Sequence, residues 1–402
     1  MDNSTTNTAC LGILGGGQLG LFLCQAAARL NIQTMVLEPN PKGSAVQAAD
    51  RAIVASLDDL EAIQQLIDNC DVITFELEAI PDESLELLTA AEHRGDVHVR
   101  PGAETLALFK DKGVQKDWLS REKLPTLPYL PVENGILPRE LITGEWSLPV
   151  VQKAHRGGYD GKGVQLLRTE VDLENLWSVP SYLEPALQPC REIGVVVVRD
   201  LQGRLLAYPP VSMAFDDRYN AVHSVTSPGQ LSPGLAEEAR KLALQAIGKL
   251  GSPGVYAVEL FVAGETSVTI NEISPRVHNS GHLTMEGFEH SQFEQHVRAV
   301  MGLPLAEISP LTPFAVMLNL LYEDGLESVC PDQPRELHLN GATPVSVHWY
   351  GKSTGQAGRK MGHLTAVGND REQVTLAAEQ TLAMLRQGQQ TGLEPVHEET
   401  GS

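Results

Sequence analysis

Apolar positions in this chain fall into two alternating spacings. Leu11-Gly-Ile-Leu14 is a short buried-type strand, a helical spacing follows over 21–30, and Thr34-Met-Val-Leu-Glu38 reads as a second strand. The alternation continues through a helix over 57–67, the strand Asp71-Val-Ile-Thr-Phe75, a helix over 82–93 and a short strand over 97–99. Strands regularly separated by helices predict a doubly wound α/β domain ending near residue 108.

Beyond it the pattern changes. A helical stretch over 110–123 gives way to a connector marked by Pro125, Pro128, Pro131 and Pro138. Two apolar runs, Leu148 to Val151 and Val164 to Leu167, flank a glycine-rich loop and predict a hairpin. A helix over 171–177, a strand over 182–187, and two long strands over 192–199 and 205–213 come next. A helix over 235–250 precedes a second hairpin, whose arms over 255–262 and 267–273 turn at Ala263-Gly-Glu-Thr266, and a helix over 291–301 follows. The last hundred residues carry short strands over 314–321, 336–339, 345–349 and 363–367 and a helix over 371–385.

A length of 402 residues suffices for two or three domains with their own cores. No apolar run approaches the ~20 residues of a membrane span, and the first ten residues have neither the basic nor the apolar region of a secretory signal. Five widely spaced cysteines without a Cys-x-x-Cys argue for reduced thiols and a cytoplasmic setting. Thirty basic against 51 acidic residues give a net charge of −21, which disfavours nucleic acid and anionic membranes as partners. An anionic small ligand would therefore need a local cluster of cations.

Such clusters exist. The loop between the first pair of apolar runs, Lys153-Ala-His-Arg-Gly-Gly-Tyr-Asp-Gly-Lys-Gly163, combines Lys153, Arg156 and Lys162 with four glycines, so its backbone could close on phosphates; a surface hairpin with a mobile tip is the alternative. Gly15-Gly-Gly-Gln-Leu-Gly20 with Glu38 eighteen residues later satisfies a dinucleotide fingerprint, although another phosphate ligand or purely structural glycines fit as well. Glu76-Leu-Glu78 lies just past a strand end, where open α/β sheets bind ligands. Glu259 and Glu272, on the two arms of the second hairpin, are cross-strand or diagonal neighbours, and with Asn271 they suit Mg²⁺. Ser274-Pro-Arg-Val-His-Asn-Ser-Gly-His282 supplies donors for an oxyanion from Arg276 and His278. His278 and His282 have the spacing of a zinc helix but lack its glutamate, and Pro275 and Gly281 oppose a helix. Lys352, Arg359, Lys360 and His363 form a last cationic group, suited to a substrate phosphate, while Gly351-Lys-Ser353 lacks the earlier glycine of a P-loop.

A glycine-rich hairpin lysine, a Glu-x-x-Leu strand end and a Glu…Asn-Glu hairpin in this order resemble the ATP-grasp fold. Four finer motifs, Gly-Gly-Gln-Leu-Gly20, Gly-Gly-Tyr-Asp-Gly-Lys-Gly163, Asn-Glu-Ile-Ser-Pro-Arg-Val-His-Asn-Ser-Gly-His282 and Gly-Arg-Lys-Met-Gly-His363, resemble the N5-carboxyaminoimidazole ribonucleotide synthase family of purine biosynthesis, collinearly from about 10 to 385. The polar residues 1–9 read as a short disordered lead, and the resemblance implies the α/β (pre-ATP-grasp) domain over 10–108 and an ATP-grasp domain over 109–305 with a lid over about 125–185. A small β-rich domain over 306–390 and a tail over 391–402 complete the chain.

The activity implied is ATP-dependent carboxylation of 5-aminoimidazole ribonucleotide: ATP phosphorylates bicarbonate, and the carboxyphosphate yields the CO₂ that the amine captures. By the same resemblance Lys112 and Lys153 contact the nucleotide, Gly157, Gly158, Tyr159, Gly161, Lys162 and Gly163 close over its phosphates, Glu184 and Leu187 meet adenine, and Glu192 holds the ribose. Glu259 and Glu272, beside Asn271, carry Mg²⁺; Arg276 and His278 orient bicarbonate. Gln18, Leu19, Lys352 and Arg359 hold the ribonucleotide phosphate, Glu76, Tyr159 and Asp160 face its aminoimidazole, and Asp160 is a candidate proton acceptor. Arg276, His278, Asp160 and Lys352 are thus the candidate catalytic set. The family further implies a homodimer that passes its product to a mutase. Leu21 and Lys112 stand where the family favours arginine, and Val211-Ser-Met-Ala-Phe215 replaces a segment usually containing asparagine and histidine. Another ATP-grasp carboxylate–amine ligase, or an NAD-dependent oxidoreductase built on the glycine fingerprint, are the competing readings.

Overall fold

The computed structural model describes residues 9–158, 163–187, 190–264, 267–322, 326, 330–331, 333–339, 342–352, 356–387 and 394–395. Tyr159, Asp160, Gly161 and Lys162 lie outside the described residues.

The N-terminal region forms the expected parallel sheet, in the order Arg51–Ile53, Gln33–Leu37, Cys10–Leu14, Val72–Phe75, His98–Val99. Its helices start and stop where the chemistry says they should. Asp59 accepts from the Glu61 and Ala62 N–H groups at the start of Leu60–Asn69. Gly95, at φ 79°, ends Asp82–Arg94 in the left-handed conformation. All five cysteines are free, although the Cys10 and Cys70 sulfurs lie 3.6 Å apart.

An antiparallel sheet of eleven strands forms the body. It runs from the hairpin Ser267–Ser274 and Gly254–Ala263 through Cys190–Arg199, Val211–Asp216 and Ala221–Ser227, then across Phe314–Leu321 into Lys360–Gly368, Val345–Tyr350, Pro334–Leu339 and Glu394–Pro395. The C-terminal strands therefore extend the same sheet that carries the hairpin Gly254–Ala263 and Ser267–Ser274. Alternation sandwiches this sheet: Ile193, Val195 and Val197 pack toward helix Pro233–Gly248, whereas Val196 and Val198 join the core that includes Phe22, Phe293 and Val297. A separate four-stranded antiparallel sheet, Leu130–Val132, Ser181–Pro185, Val150–Ala154 and Val164–Leu167, has its own small core of Val132, Val150, Leu167 and Leu183.

Three sequence expectations need correction. The strand expected over 205–213 is two strands, Leu205–Ala207 and Val211–Asp216, because Pro209 and Pro210 cannot donate to a ladder. The helix expected over 171–177 is a 3₁₀ helix, Glu170–Asn175, closed by reciprocal Thr169–Asp172 capping. Strand Ala221–Ser227, which has no clean alternation, was not anticipated and is what joins the body to the C-terminal strands. Among the described residues no helix is long and apolar enough to cross a membrane.

Candidate active site

A cavity of about 890 Å³ opens between the four-stranded sheet, the body hairpin and the C-terminal ends of the first sheet. Its acidic floor is built by register. Glu259 pairs directly with Glu272, and the ladder then slips so that Leu260 pairs with Ile270. Asn271 is the extra residue. That bulge lets Ile270 and Ile273, three apart, both pack into the core while Asn271 and Glu272 both face the cavity. The two carboxylates are only partly exposed, at 15% and 27% of their side-chain area. Nitrogen-bearing side chains face them: Lys112 Nζ contacts Glu272, and His278 Nε2 lies 3.5 Å from Glu259 Oε1. Two facing carboxylates and an amide oxygen form a donor set that fits a small divalent cation bound with phosphate oxygens.

The four-stranded sheet, which falls in the expected lid, supplies the opposite wall. Lys153 Nζ lies 2.5 Å from Glu184 Oε1 and donates to Asn271 Oδ1 at 2.7 Å, spanning lid and floor. Lys116 Nζ sits 3.0 Å from the other Glu184 oxygen. Burial would raise the Glu184 carboxyl, but Lys153 and Lys116 hold it below its usual range. Its carboxylate is thus committed to lysines, so any adenine contact at this strand end falls to the backbone and to Leu187, which lines the cavity. Gly157 and Gly163, at φ 78° and 73°, give the loop a conformation that side chains disfavour, and Gly157 and Gly158 reach the cavity. Burial, then the Lys153 charge, brings Lys112 down to about 8. Burial, then Glu259, pushes Glu192 up to about 7 at the cavity edge.

At the third wall, Arg276 is aligned by Glu78, with Nη2 donating to Oε2 at 3.0 Å and Nε 2.9 Å from Oε1. His278 Nδ1 meets Ser280 Oγ at 3.0 Å. Burial lowers the His278 pKa, keeping its ring neutral, and a neutral ring can both accept and donate.

The glycine loop behaves differently from a dinucleotide site. Gly16 N–H donates to Glu38 Oε2 at 2.7 Å, and Gly17 and Gly20 N–H donate to the two Glu76 oxygens at 2.8 and 3.0 Å. Carboxylates from within the chain occupy the donors a pyrophosphate would need, which removes the basis of the oxidoreductase reading. Burial outweighs these bonds and raises the Glu76 pKa. Gln18 and Leu19 line the cavity at this helix start, and their N–H groups have no acceptor among the described residues.

The cavity gathers most of the residues nominated from sequence, with three exceptions among those described, Gly163, Lys352 and Arg359. Lys352 donates to the Lys360 carbonyl at 2.8 Å and, like exposed Arg359, does not line the cavity; Lys360, buried, does. Sequence reasoning also passed over Lys116 and the pairing role of Glu78, because only the fold brings their partners close. Phe215, from the atypical 211–215 segment, lines the cavity, while Ser212 Oγ accepts from Gln230 N–H at 2.8 Å. Outside the cavity, Glu286, Glu336 and His348 form a group of possible metal donors.

The sequence matches three family models in tandem: a ribonucleotide synthetase preATP-grasp domain over residues 8–110, an ATP-grasp domain over 117–293 and a phosphoribosylaminoimidazole carboxylase C-terminal domain over 315–376. It is 35% identical over 362 residues to the N5-carboxyaminoimidazole ribonucleotide synthase of Synechococcus elongatus, covering 88% of each chain. It is 37% identical over 370 residues to the phosphoribosylaminoimidazole carboxylase of Schizosaccharomyces pombe, covering 89% of this chain and 64% of that protein. The chain thus spans about two thirds of the length of that relative. A crystal structure of N5-carboxyaminoimidazole synthase from Aspergillus clavatus, in complex with ADP and 5-aminoimidazole ribonucleotide, matches with a TM-score of 0.80 at 29% identity, over 94% of this chain and 99% of that one.

Proposed function

The chain belongs to the N5-carboxyaminoimidazole ribonucleotide synthase family of ATP-grasp enzymes, and from that premise we propose that it spends ATP to carboxylate 5-aminoimidazole ribonucleotide with bicarbonate. The observation that carries this reading is the cavity itself, with lysines of the lid and body set against a cross-strand carboxylate pair. That arrangement suits phosphoryl transfer, which depends on positioning and charge neutralisation more than on covalent help from the protein.

In this mechanism Lys153 and Lys112 bind the nucleotide phosphates, and the loop from Gly157 to Gly163 closes over them. The strand end from Glu184 to Leu187 borders the adenine and Glu192 accepts from the ribose hydroxyls. Glu259 and Glu272, with Asn271, would hold Mg²⁺, which when bound neutralises phosphate charge. Arg276 and His278 hold bicarbonate so that one oxygen attacks the γ-phosphorus as the bond to ADP breaks, giving carboxyphosphate. Loss of inorganic phosphate then frees CO₂ inside the cavity. The exocyclic amine adds to its carbon and gives up a proton, for which Asp160 remains the candidate acceptor. The Gln18 and Leu19 N–H groups, with Lys360, receive the ribonucleotide phosphate. The enzyme is proposed to be cytoplasmic and homodimeric, with its carbamate product consumed by a mutase.

The test is ATP consumption by the purified chain with bicarbonate, with and without 5-aminoimidazole ribonucleotide. Phosphate release that requires both supports the proposal. No release refutes it, and release with a different carboxylate and amine would favour another ATP-grasp ligase.

A further inference from the structure

We infer that Lys116 is a positioning residue for the nucleotide: through Glu184 it sets both the place and the available charge of Lys153. The inference rests on the reading that Lys153 meets the nucleotide phosphates. Lys116 lies one turn after Lys112 on helix Lys112–Arg121 of the body and is 1% exposed. Its ammonium is 3.0 Å from Glu184 Oε2, donates to Thr126 Oγ1 at 2.8 Å and sits 5.8 Å from the centre of the Tyr182 ring. Thr126 in turn donates to the Ile270 carbonyl on the floor hairpin at 2.9 Å. Glu184, also 1% exposed, reaches Lys153 with its other oxygen. One buried carboxylate therefore joins a lysine of the body to a lysine of the lid.

Charge explains why two lysines are needed. A lone Glu184–Lys153 pair would be neutral, and a buried carboxylate with one partner holds that partner tightly. Sharing the carboxylate with Lys116 leaves the trio at net +1, so Lys153 keeps a positive charge to offer a phosphate. The same link fixes the lid strand Ser181–Pro185 against the body, so that Lys153 meets Asn271. Such preorganised networks act as units, and their members are coupled.

The experiment is MgADP titration by calorimetry, with steady-state kinetics, on Lys116→Met, Lys153→Met, Glu184→Gln and the double variant Lys116→Met/Glu184→Gln. Lys116→Met should weaken MgADP binding and raise KM for ATP about tenfold or more, with kcat at saturating ATP and KM for the ribonucleotide within about twofold of wild type. Lys116→Arg should restore most of the affinity. In the Glu184→Gln background the same change should add less than about twofold, because its route to Lys153 is already cut. The double variant removes one buried charge of each sign and keeps the test open should Lys116→Met not fold. Wild-type nucleotide affinity in folded Lys116→Met or in the double variant, or fully additive losses, would overturn the inference. Unchanged affinity in Lys153→Met would overturn it too, by removing the nucleotide role of Lys153 on which it rests.

Discussion

Arg276 and Glu78, 198 residues apart, meet in a two-point ion pair that joins the loop after strand Val72–Phe75 to the loop after the body hairpin. The guanidinium is thereby held in one plane at the cavity wall, and burial of Glu78 is outweighed by Arg276, which keeps that carboxyl ionised. Glu78→Gln keeps the shape and loses the charge. We expect kcat to fall about 10- to 100-fold with KM for ATP little changed, since orientation of the reacting group is what is lost. Steady-state phosphate release measures this, and an undiminished kcat would show that Arg276 needs no such support.

Glu272→Gln should abolish turnover while the circular dichroism spectrum and melting temperature stay close to wild type. The side chain is partly exposed and carries no core packing, so its loss falls on the chemistry. Chelation of divalent cations should reproduce the effect in the unmodified chain. Activity that survives the substitution removes the carboxylate pair from the metal role.

Lys360→Ala should raise KM for the ribonucleotide about tenfold, and Lys352→Ala should do so less, because only Lys360 lines the cavity. Lys352 supports the Lys360 backbone through its 2.8 Å bond to the carbonyl. A larger effect at Lys352 would mean that the substrate phosphate sits beyond the present cavity.

His296 should leave a signature in acid. It is fully buried between the first sheet and the body: Val255 N–H donates to Nδ1 at 3.1 Å, so Nε2 carries the proton toward Thr74 Oγ1 at 2.8 Å. Burial pushes its pKa down to about 3. Below about pH 6.5 the unfolded chain takes up a proton that the folded chain refuses, so this site's stability is complete above that pH. It declines by about 1.4 kcal/mol per pH unit on the way down to about 3. His296→Gln should be less stable at pH 7, and its deficit relative to wild type should shrink by about 1 kcal/mol between pH 6.5 and 5.5 in urea denaturation. A constant deficit would mean that His296 takes up its proton alike in the folded and unfolded chain.

Elements with a clear period were legible in the chain, and so were residues whose chemistry is local. Counting from the turn at Gly264 makes Glu259 and Glu272 cross-strand or diagonal neighbours, and the slip at Asn271 makes them a direct pair. What depended on distant partners was not legible. Glu38 and Glu76 matched the expectation for ligand contacts, yet the fold turns both toward the glycine-loop amides. Lys352 and Lys360 are equally basic on paper; the start of strand Lys360–Gly368 decides which one turns inward. Lys116 had no local signal at all, because its partner is contributed by a strand of another sheet.

The slipped ladder at Asn271 has a consequence for how this hairpin is maintained. Without that residue, Ile270, Glu272 and Ile273 would follow simple in–out order, and the apolar layer would be filled just as well. The surplus residue therefore answers to Lys153, not to folding. A chain shortened by Asn271 should stay as stable or gain stability while losing its hold on the lid, so the bulge trades robustness of the hairpin for a contact across the cavity.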